Sequence, residues 1–221
     1  MSWESTVPYY RIVNETVMAR LGGLHSAKVL LHSVDFHEIE QFMPVGDWDE
    51  IGRRLGEAGR ALRVAGADFI VLCTNTMHRV APAVEAAAGI PLLHIVDVTG
   101  EEIRRRGFAK VGLLGTRFTM EQDFFHERLR AFAGVETLVP DAADRAIVHE
   151  IIFGELCRGQ VRDESQRAYR RIMARLAGDG AQAVIFGCTE ISMLVGPRDC
   201  PVPVLDTTAI HARRAAEYAL A

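Results

Sequence analysis

The chain has 221 residues, nearly half of them apolar, and a formal net charge of −4, which suits two small domains with cores of their own. Mean hydropathy is near zero and no apolar run approaches the roughly 20 residues that cross a bilayer, so a membrane role is excluded. The basic residues are scattered, and the one run, Arg104 to Arg106, reads as a solvated helix face, which argues against nucleic acid as a partner.

In chain order, MSWESTVPYY carries neither the basic nor the apolar stretch of a secretory signal, so a cytoplasmic location is expected. Residues 27–36, AKVLLHSVDF, read as a strand. Asp47 then opens a helix, with Glu50 as its capping-box partner. Ile51, Leu55, Ala58, Leu62 and Ala65 line one face, and Gly66 ends it. DFIVLCT (68–74) follows as a buried strand, TMHRVAPAVEAAAG as a helix ending at Gly89, and IPLLHIVD (90–97) as another strand. A helix through Glu101 to Arg106 precedes Gly107, and AKVGLLGT (109–116) is a strand again. This alternation predicts an α/β protein with parallel sheets flanked by helices.

The chain also repeats itself. GADFIVLCTNTMH (66–78) matches GAQAVIFGCTEIS (180–192), pairing Thr74 with Cys188 and Asn75 with Thr189, an offset of 188 − 74 = 114. Each copy leads to a Pro-containing strand and an Asp-x-Thr, Asp97 to Thr99 and Asp206 to Thr208. Two pseudo-symmetric domains are therefore expected, 1–97 with 206–221 and 98–205, with a ligand cleft between equivalent strand ends. The same offset carries Thr116 onto Ser2, so the counterpart of strand 109–115 is expected to lie upstream of Ser2.

At the two strand ends, Thr74-Asn75-Thr76 and Cys188-Thr189-Glu190 offer backbone N–H groups and side-chain donors to an anion such as a carboxylate. A helix starting there lowers a cysteine pKa from about 8.5, making Cys188 a candidate thiolate base; a buried structural cysteine is the alternative. Cys73, next to Thr74 but matched to Gly187, faces the other way along a strand and is read as core. Cys157 and Cys200 are also read as structural, and none of the four cysteines forms a CxxC pair. His78 and Glu190 are candidate neighbours that tune the pair, with capping or packing as the alternative for His78. His32 and His37 are too loosely placed for a metal motif, neither lysine (Lys28, Lys110) sits at a strand end where pyridoxal phosphate would need one, and GLLGT (112–116) lacks the full phosphate-loop pattern. The chemistry is expected to need no cofactor.

At these residues the sequence resembles the aspartate/glutamate racemase family. The resemblance covers essentially the whole chain through SWESTVPYY, LGGLHSAKVLLHSVDFHEIE, GDW, VLCTNTMH, LLGTRFTMEQDFF, IIFGELCRGQ and VIFGCTEISMLV. It implies two Rossmann-like domains, commonly in a homodimer. It also implies proton exchange at the α-carbon of an acidic amino acid by two side chains on opposite faces, here Cys188 and Thr74. Substrate contacts are then expected from Met1, Ser2, Met43, Thr74, Asn75, Thr76, Thr116, Arg158 and Thr189. Thr74 stands where the family commonly has cysteine, Met1 matches the Met of the family's opening Gly-Gly-Met, and Met43, with Gln41 two residues earlier, stands near the position before GDW where relatives often carry Gln or Arg. The threonine keeps two alternatives open: a single-base isomerase or decarboxylase, and a binding protein with a vestigial site.

Overall fold

The computed structural model describes all 221 residues. The chain divides into two compact units, Met1–His94 with Ala212–Ala221, and Ile95–His211. These boundaries fall at 94/95 and 211/212, against the expected 97/98 and 205/206.

The first unit begins with α1 (Trp3–Leu21), followed by α2 (Phe36–Glu40) and α3 (Trp48–Val64). Next come β1 (Ile70–Val71), a 3-10 turn (Thr76–Val80), α4 (Ala81–Ala88) and β2 (Leu92–Leu93). Asp47 caps α3 by accepting the Glu50 N–H at 3.1 Å, as the sequence predicts. The buried stripe of α3 is Ile51, Gly52, Leu55, Gly56 and Gly59 rather than the run through Ala58, Leu62 and Ala65. The glycines matter because α4 lies against them: a Cβ at Gly56 would sit 2.7 Å from the Ala87 Cβ. The expected helix ending at Gly89 is split into the 3-10 turn and α4, and Gly89 closes it at φ 68°.

The strands of this unit are shorter than expected. β1 and β2 pair in parallel through two residues each, Ile70 with Leu92 and Val71 with Leu93. Residues 27–35, expected to be a strand, form none; they are not hydrogen-bonded into any sheet. IPLLHIVD also departs from expectation, since a helix already begins at Ile95, so Asp97 lies inside that helix and is not at a strand end.

The second unit comprises α5 (Ile95–Arg106), β3 (Lys110–Gly115), α6 (Arg117–Glu121), α7 (Asp123–Ala133), β4 (Glu136–Leu138) and α8 (Ala142–Gly154). It continues through a 3-10 turn (Leu156–Arg158), α9 (Asp163–Gly178), β5 (Val184–Gly187), α10 (Ile191–Leu194), a 3-10 turn (Pro197–Asp199) and β6 (Val204–Asp206). The last helix, α11 (Thr207–Ala219), starts in this unit. Its four-stranded sheet is parallel throughout, in the order β4-β3-β5-β6. Side chains alternate across it. Val111, Leu113, Ile185 and Leu205 join Ile103, Phe125 and Leu129 of α5 and α7. Leu114, Val184 and Phe186 join Ile152, Tyr169, Ile172 and Leu176 of α8 and α9. Both faces of the sheet are thus covered, which is why its strands read as continuous apolar runs. No helix of the chain is long and apolar enough to cross a membrane.

Candidate active site

Cys188 is the first residue past β5. Its placement depends on two glycines. A Cβ at Gly115 would lie 2.8 Å from the Gly187 carbonyl oxygen, and one at Gly187 would lie 2.7 Å from Leu113 Cδ1. Only glycines let the ends of β3 and β5 approach this closely, which accounts for Gly115 of GLLGT without a phosphate loop, while a Cβ at Gly112 would lie 3.0 Å from Leu176 Cδ1. The Cys188 side chain is buried, and its thiol donates to Glu190 Oε2 at 2.9 Å. The Thr189 hydroxyl donates to the same oxygen at 2.6 Å, and the Cys157 thiol reaches Glu190 Oε1 at 3.9 Å. Glu190, itself buried, gathers three donors.

This environment reverses one expectation. Burial, and next the Glu190 carboxylate, push the Cys188 pKa well above that of a free thiol. The helix that follows is a single turn, Ile191–Leu194, and so offers little dipole to oppose them. Burial pushes Cys157 up to about 12, with Glu190 acting in the same direction. Thr116, at the end of β3, caps α6 by accepting the Thr119 N–H at 3.3 Å, and its own side chain is buried. Arg158 ends the 3-10 turn that carries Cys157 and is exposed.

In the first unit Thr74, Asn75, Thr76 and His78 are all buried. Thr74 follows the β1 strand end through a tight turn in which its N–H donates to the Leu72 carbonyl at 2.7 Å. His78 Nδ1 donates to the Thr74 carbonyl oxygen at 2.7 Å, a contact with its backbone. The His78 ring meets the His94 ring edge-on at 4.6 Å. Sequence reasoning missed His94. Strand register was the signal, because Leu92 and Leu93 pair with β1 as Val204 and Leu205 pair with β5, so His94 matches Asp206. The Asp-x-Thr pairing of Asp97 with Asp206 was therefore out of register by three residues. Asp206 accepts from the Ser192 hydroxyl at 2.7 Å, and Ser192 is the repeat partner of His78.

The Met1 amine donates to the Ser5 hydroxyl at 2.9 Å and to the Cys73 carbonyl at 3.0 Å. Ser2 is buried at the start of α1, and Met43 is buried after α2. Cys73 is half-buried, and burial raises its pKa to about 11. All four cysteines are free thiols. No three His, Cys, Asp or Glu side chains cluster as a metal site would require. Lys110 pairs with Glu136 at 3.0 Å, and Lys28 is exposed on residues 27–35.

Residues 1–215 match the Asp/Glu/hydantoin racemase family. The chain belongs to this family. It is thus a racemase by descent, of the isomerase class. A Yersinia pestis protein assigned provisionally as an Asp/Glu racemase has 56% identity and a TM-score of 0.92, over 100% of this chain and 96% of its own. An aspartate racemase homologue from Pyrococcus horikoshii has 32% identity and a TM-score of 0.83, over 99% and 95%. The broad-specificity amino-acid racemase of Bacillus subtilis is 25% identical over 167 residues, 76% of this chain and 71% of that protein.

Proposed function

We propose that this protein racemises an acidic amino acid without a cofactor, Cys188 and Thr74 exchanging protons with the α-carbon on opposite faces. The observation that carries this reading is the Cys188 thiol held on Glu190 at 2.9 Å just past a strand end, with Thr74 at the matching place in the repeat. Relatives described as an aspartate racemase homologue and a broad-specificity amino-acid racemase support the substrate class. Arg158 suits an acidic side chain, and the free thiols suit a reducing, cytoplasmic setting. Met43 lies buried, where it would bound the substrate by shape and not by charge.

The thiol proton passes first to Glu190. The resulting thiolate takes the α-proton, and the electron pair of the C–H bond remains on the α-carbon as a carbanion. Thr74 donates its hydroxyl proton to the opposite face; its alkoxide recovers a proton from water, and the hydroxide so formed takes back the proton held on Glu190. A substrate ammonium entering beside Cys188 offsets the carboxylate charge that otherwise holds the thiol protonated. The return direction is harder. An alcohol has a pKa of roughly 16 against about 8.5 for a thiol, so threonine as base costs on the order of 10 kcal/mol more than cysteine. Because the equilibrium constant of racemisation is one, kcat/KM must still match for the two enantiomers. An unactivated Thr74 therefore favours very unequal kcat and KM values.

Incubation of L-aspartate and L-glutamate in D2O, following α-deuterium and enantiomer ratio together, tests this reading. Deuterium entering as the D-form accumulates supports it. Deuterium entering with retained configuration makes Cys188 the single base, as in an isomerase or decarboxylase. No exchange with either substrate favours a binding protein.

A further inference from the structure

The packing of α3 on α4 has a register that continues one turn before its first glycine. A Cβ at Gly52 would meet the Ala83 Cβ at 3.2 Å, and one at Gly56 would meet the Ala87 Cβ at 2.7 Å. Both pairs are separated by the same step, 83 − 52 = 87 − 56 = 31, so the two helices run parallel in close contact. One turn earlier that step pairs Trp48 with Arg79, 79 − 48 = 31. There the Arg79 guanidinium lies over the Trp48 ring, 4.3 Å from its centroid. The glycine contact thus sets the height at which an arginine is braced on an indole.

That height is the exit of β1. Arg79 belongs to the 3-10 turn Thr76–Val80, which continues directly from Thr74 and Asn75. Side chains three residues apart eclipse one another in a 3-10 helix, so Arg79 stands on the face of Thr76, roughly 6 Å along the axis. From Thr74 through Ala81 every residue is buried except Arg79.

The charge of Arg79 is not used within the protein. Arg54, on α3, also lies over a ring, that of Phe42 at 4.8 Å, but it pairs with Glu50 at 2.6 Å and with Glu38 at 3.9 Å. Arg53 takes Glu50 and Glu57, each at 2.7 Å. Arg79 has the ring and no carboxylate. Stacking fixes the plane of a guanidinium and leaves its fork of N–H donors open at the edge, the arrangement that takes a carboxylate through two parallel hydrogen bonds.

We propose that Arg79 is a specificity residue: braced on Trp48, it takes the side-chain carboxylate of the acidic substrate, while the donors of Thr74, Asn75 and Thr76 face the end of the molecule that reacts. One 3-10 turn between the two sets of donors is comparable to the spacing of the two carboxylates of glutamate. This inference rests on the racemase reading proposed above, and a binding measurement separates the two.

Substrate pairs that differ only in charge test it. α-Deuterium exchange in D2O is measured for L-aspartate against L-asparagine and for L-glutamate against L-glutamine, and binding of succinate against succinamate is measured by calorimetry. In Arg79→Gln, kcat/KM for the acids and the affinity for succinate are expected to fall by roughly 10- to 100-fold, the loss of hydrogen bonds to a charged group, while the amides change by less than about threefold. Arg79→Lys keeps the charge but not the fork and should fall between the parent and Arg79→Gln. Trp48→Leu should cost the acids about two- to fivefold. Arg79 is exposed, so the parent's urea midpoint is expected in both of its variants; if Arg79→Gln lowers it, the lysine variant decides on the same pairs. Equal losses for acids and amides overturn the proposal, since Arg79 would then only support the turn. So does discrimination that is lost in Arg158→Gln and kept in Arg79→Gln. If no amino acid exchanges its α-proton, succinate decides. Binding that depends on Arg79 keeps the carboxylate site and removes only the chemistry; a parent that binds succinate no better than Arg79→Gln does overturns the site as well.

Discussion

The thiol of Cys188 donates to the carboxylate of Glu190 at 2.9 Å, inside a site where both side chains are buried. In the proposed mechanism the same contact favours the protonated thiol and also provides the acceptor for its proton. Glu190→Gln separates the two roles. Removing the charge takes away one of the causes that raise the thiol pKa, leaving burial. The rate of Cys188 alkylation by iodoacetamide, plotted against pH, is expected to rise at lower pH in Glu190→Gln than in the parent. Racemisation should nonetheless fall, by about 10²-fold or more, because the proton acceptor is gone. An unchanged alkylation profile would show that Glu190 does not act on the thiol.

Thr74 is tested by two substitutions with opposite expected effects. Thr74→Cys supplies an acid some 7 pKa units stronger than an alcohol and is expected to bring the kcat values of the two enantiomers together. Thr74→Ala should keep α-deuterium exchange on the Cys188 face while racemisation drops by about 10²–10⁴-fold. Full racemisation in Thr74→Ala would remove Thr74 from proton transfer.

How much of this was legible differs between the units. Strand 109–116 was read correctly because both faces of β3 are buried and its residues are almost continuously apolar. Residues 27–36 have the same pattern yet form no strand, since periodicity reports what a segment could bury and not whether a neighbour is there to pair with it. The α3 face was misread because its contact is made through Gly52, Gly56 and Gly59, which a count of apolar side chains passes over. The repeat pointed to Cys188, Glu190, Thr74 and His78 as candidates, and the structure buries all four. It did not point to His94, because the connection from β1 to β2 is two residues longer than that from β5 to β6, and only the register exposes the shift. The direction of the Cys188 pKa was misjudged for a related reason: a motif shows that a helix follows, but not that it is one turn long.

In the proposed site His78 would serve as a positioning residue for Thr74. Its Nδ1 donates to the Thr74 carbonyl at 2.7 Å, and the ring is 2% exposed. His78→Ala leaves that carbonyl without this donor, which is expected to cost about 1–3 kcal/mol of stability and to loosen the turn that presents Thr74. His78→Asn places an amide N–H near the position of Nδ1 and should recover most of the loss. Urea unfolding of both variants, with the kinetics of both enantiomers, checks this. An alanine variant as stable as the parent would show that the bond contributes nothing.

The buried thiols predict a loss of stability at alkaline pH. Cys188 is raised well above the usual thiol range, Cys157 to about 12 and Cys73 to about 11, each with burial as the largest cause. Unfolded thiols titrate near 8.5. Above that pH the unfolded chain releases protons that the folded chain keeps, so the folded state binds more protons and stability must fall as pH rises. Each such thiol contributes about 1.4 kcal/mol per pH unit until its folded pKa is reached, and below pH 8 none contributes. Cys200 is raised by burial as well, so the decline above pH 9 should be several times as steep as a single thiol would give. Urea midpoints measured from pH 7 to 10.5 should be level at first and then fall, and Cys157→Ala should remove part of the thiol slope whatever it does to stability at pH 7. A midpoint that stays level to pH 10.5, or a slope untouched by Cys157→Ala, would mean that these thiols ionise as freely in the folded protein as in the unfolded chain.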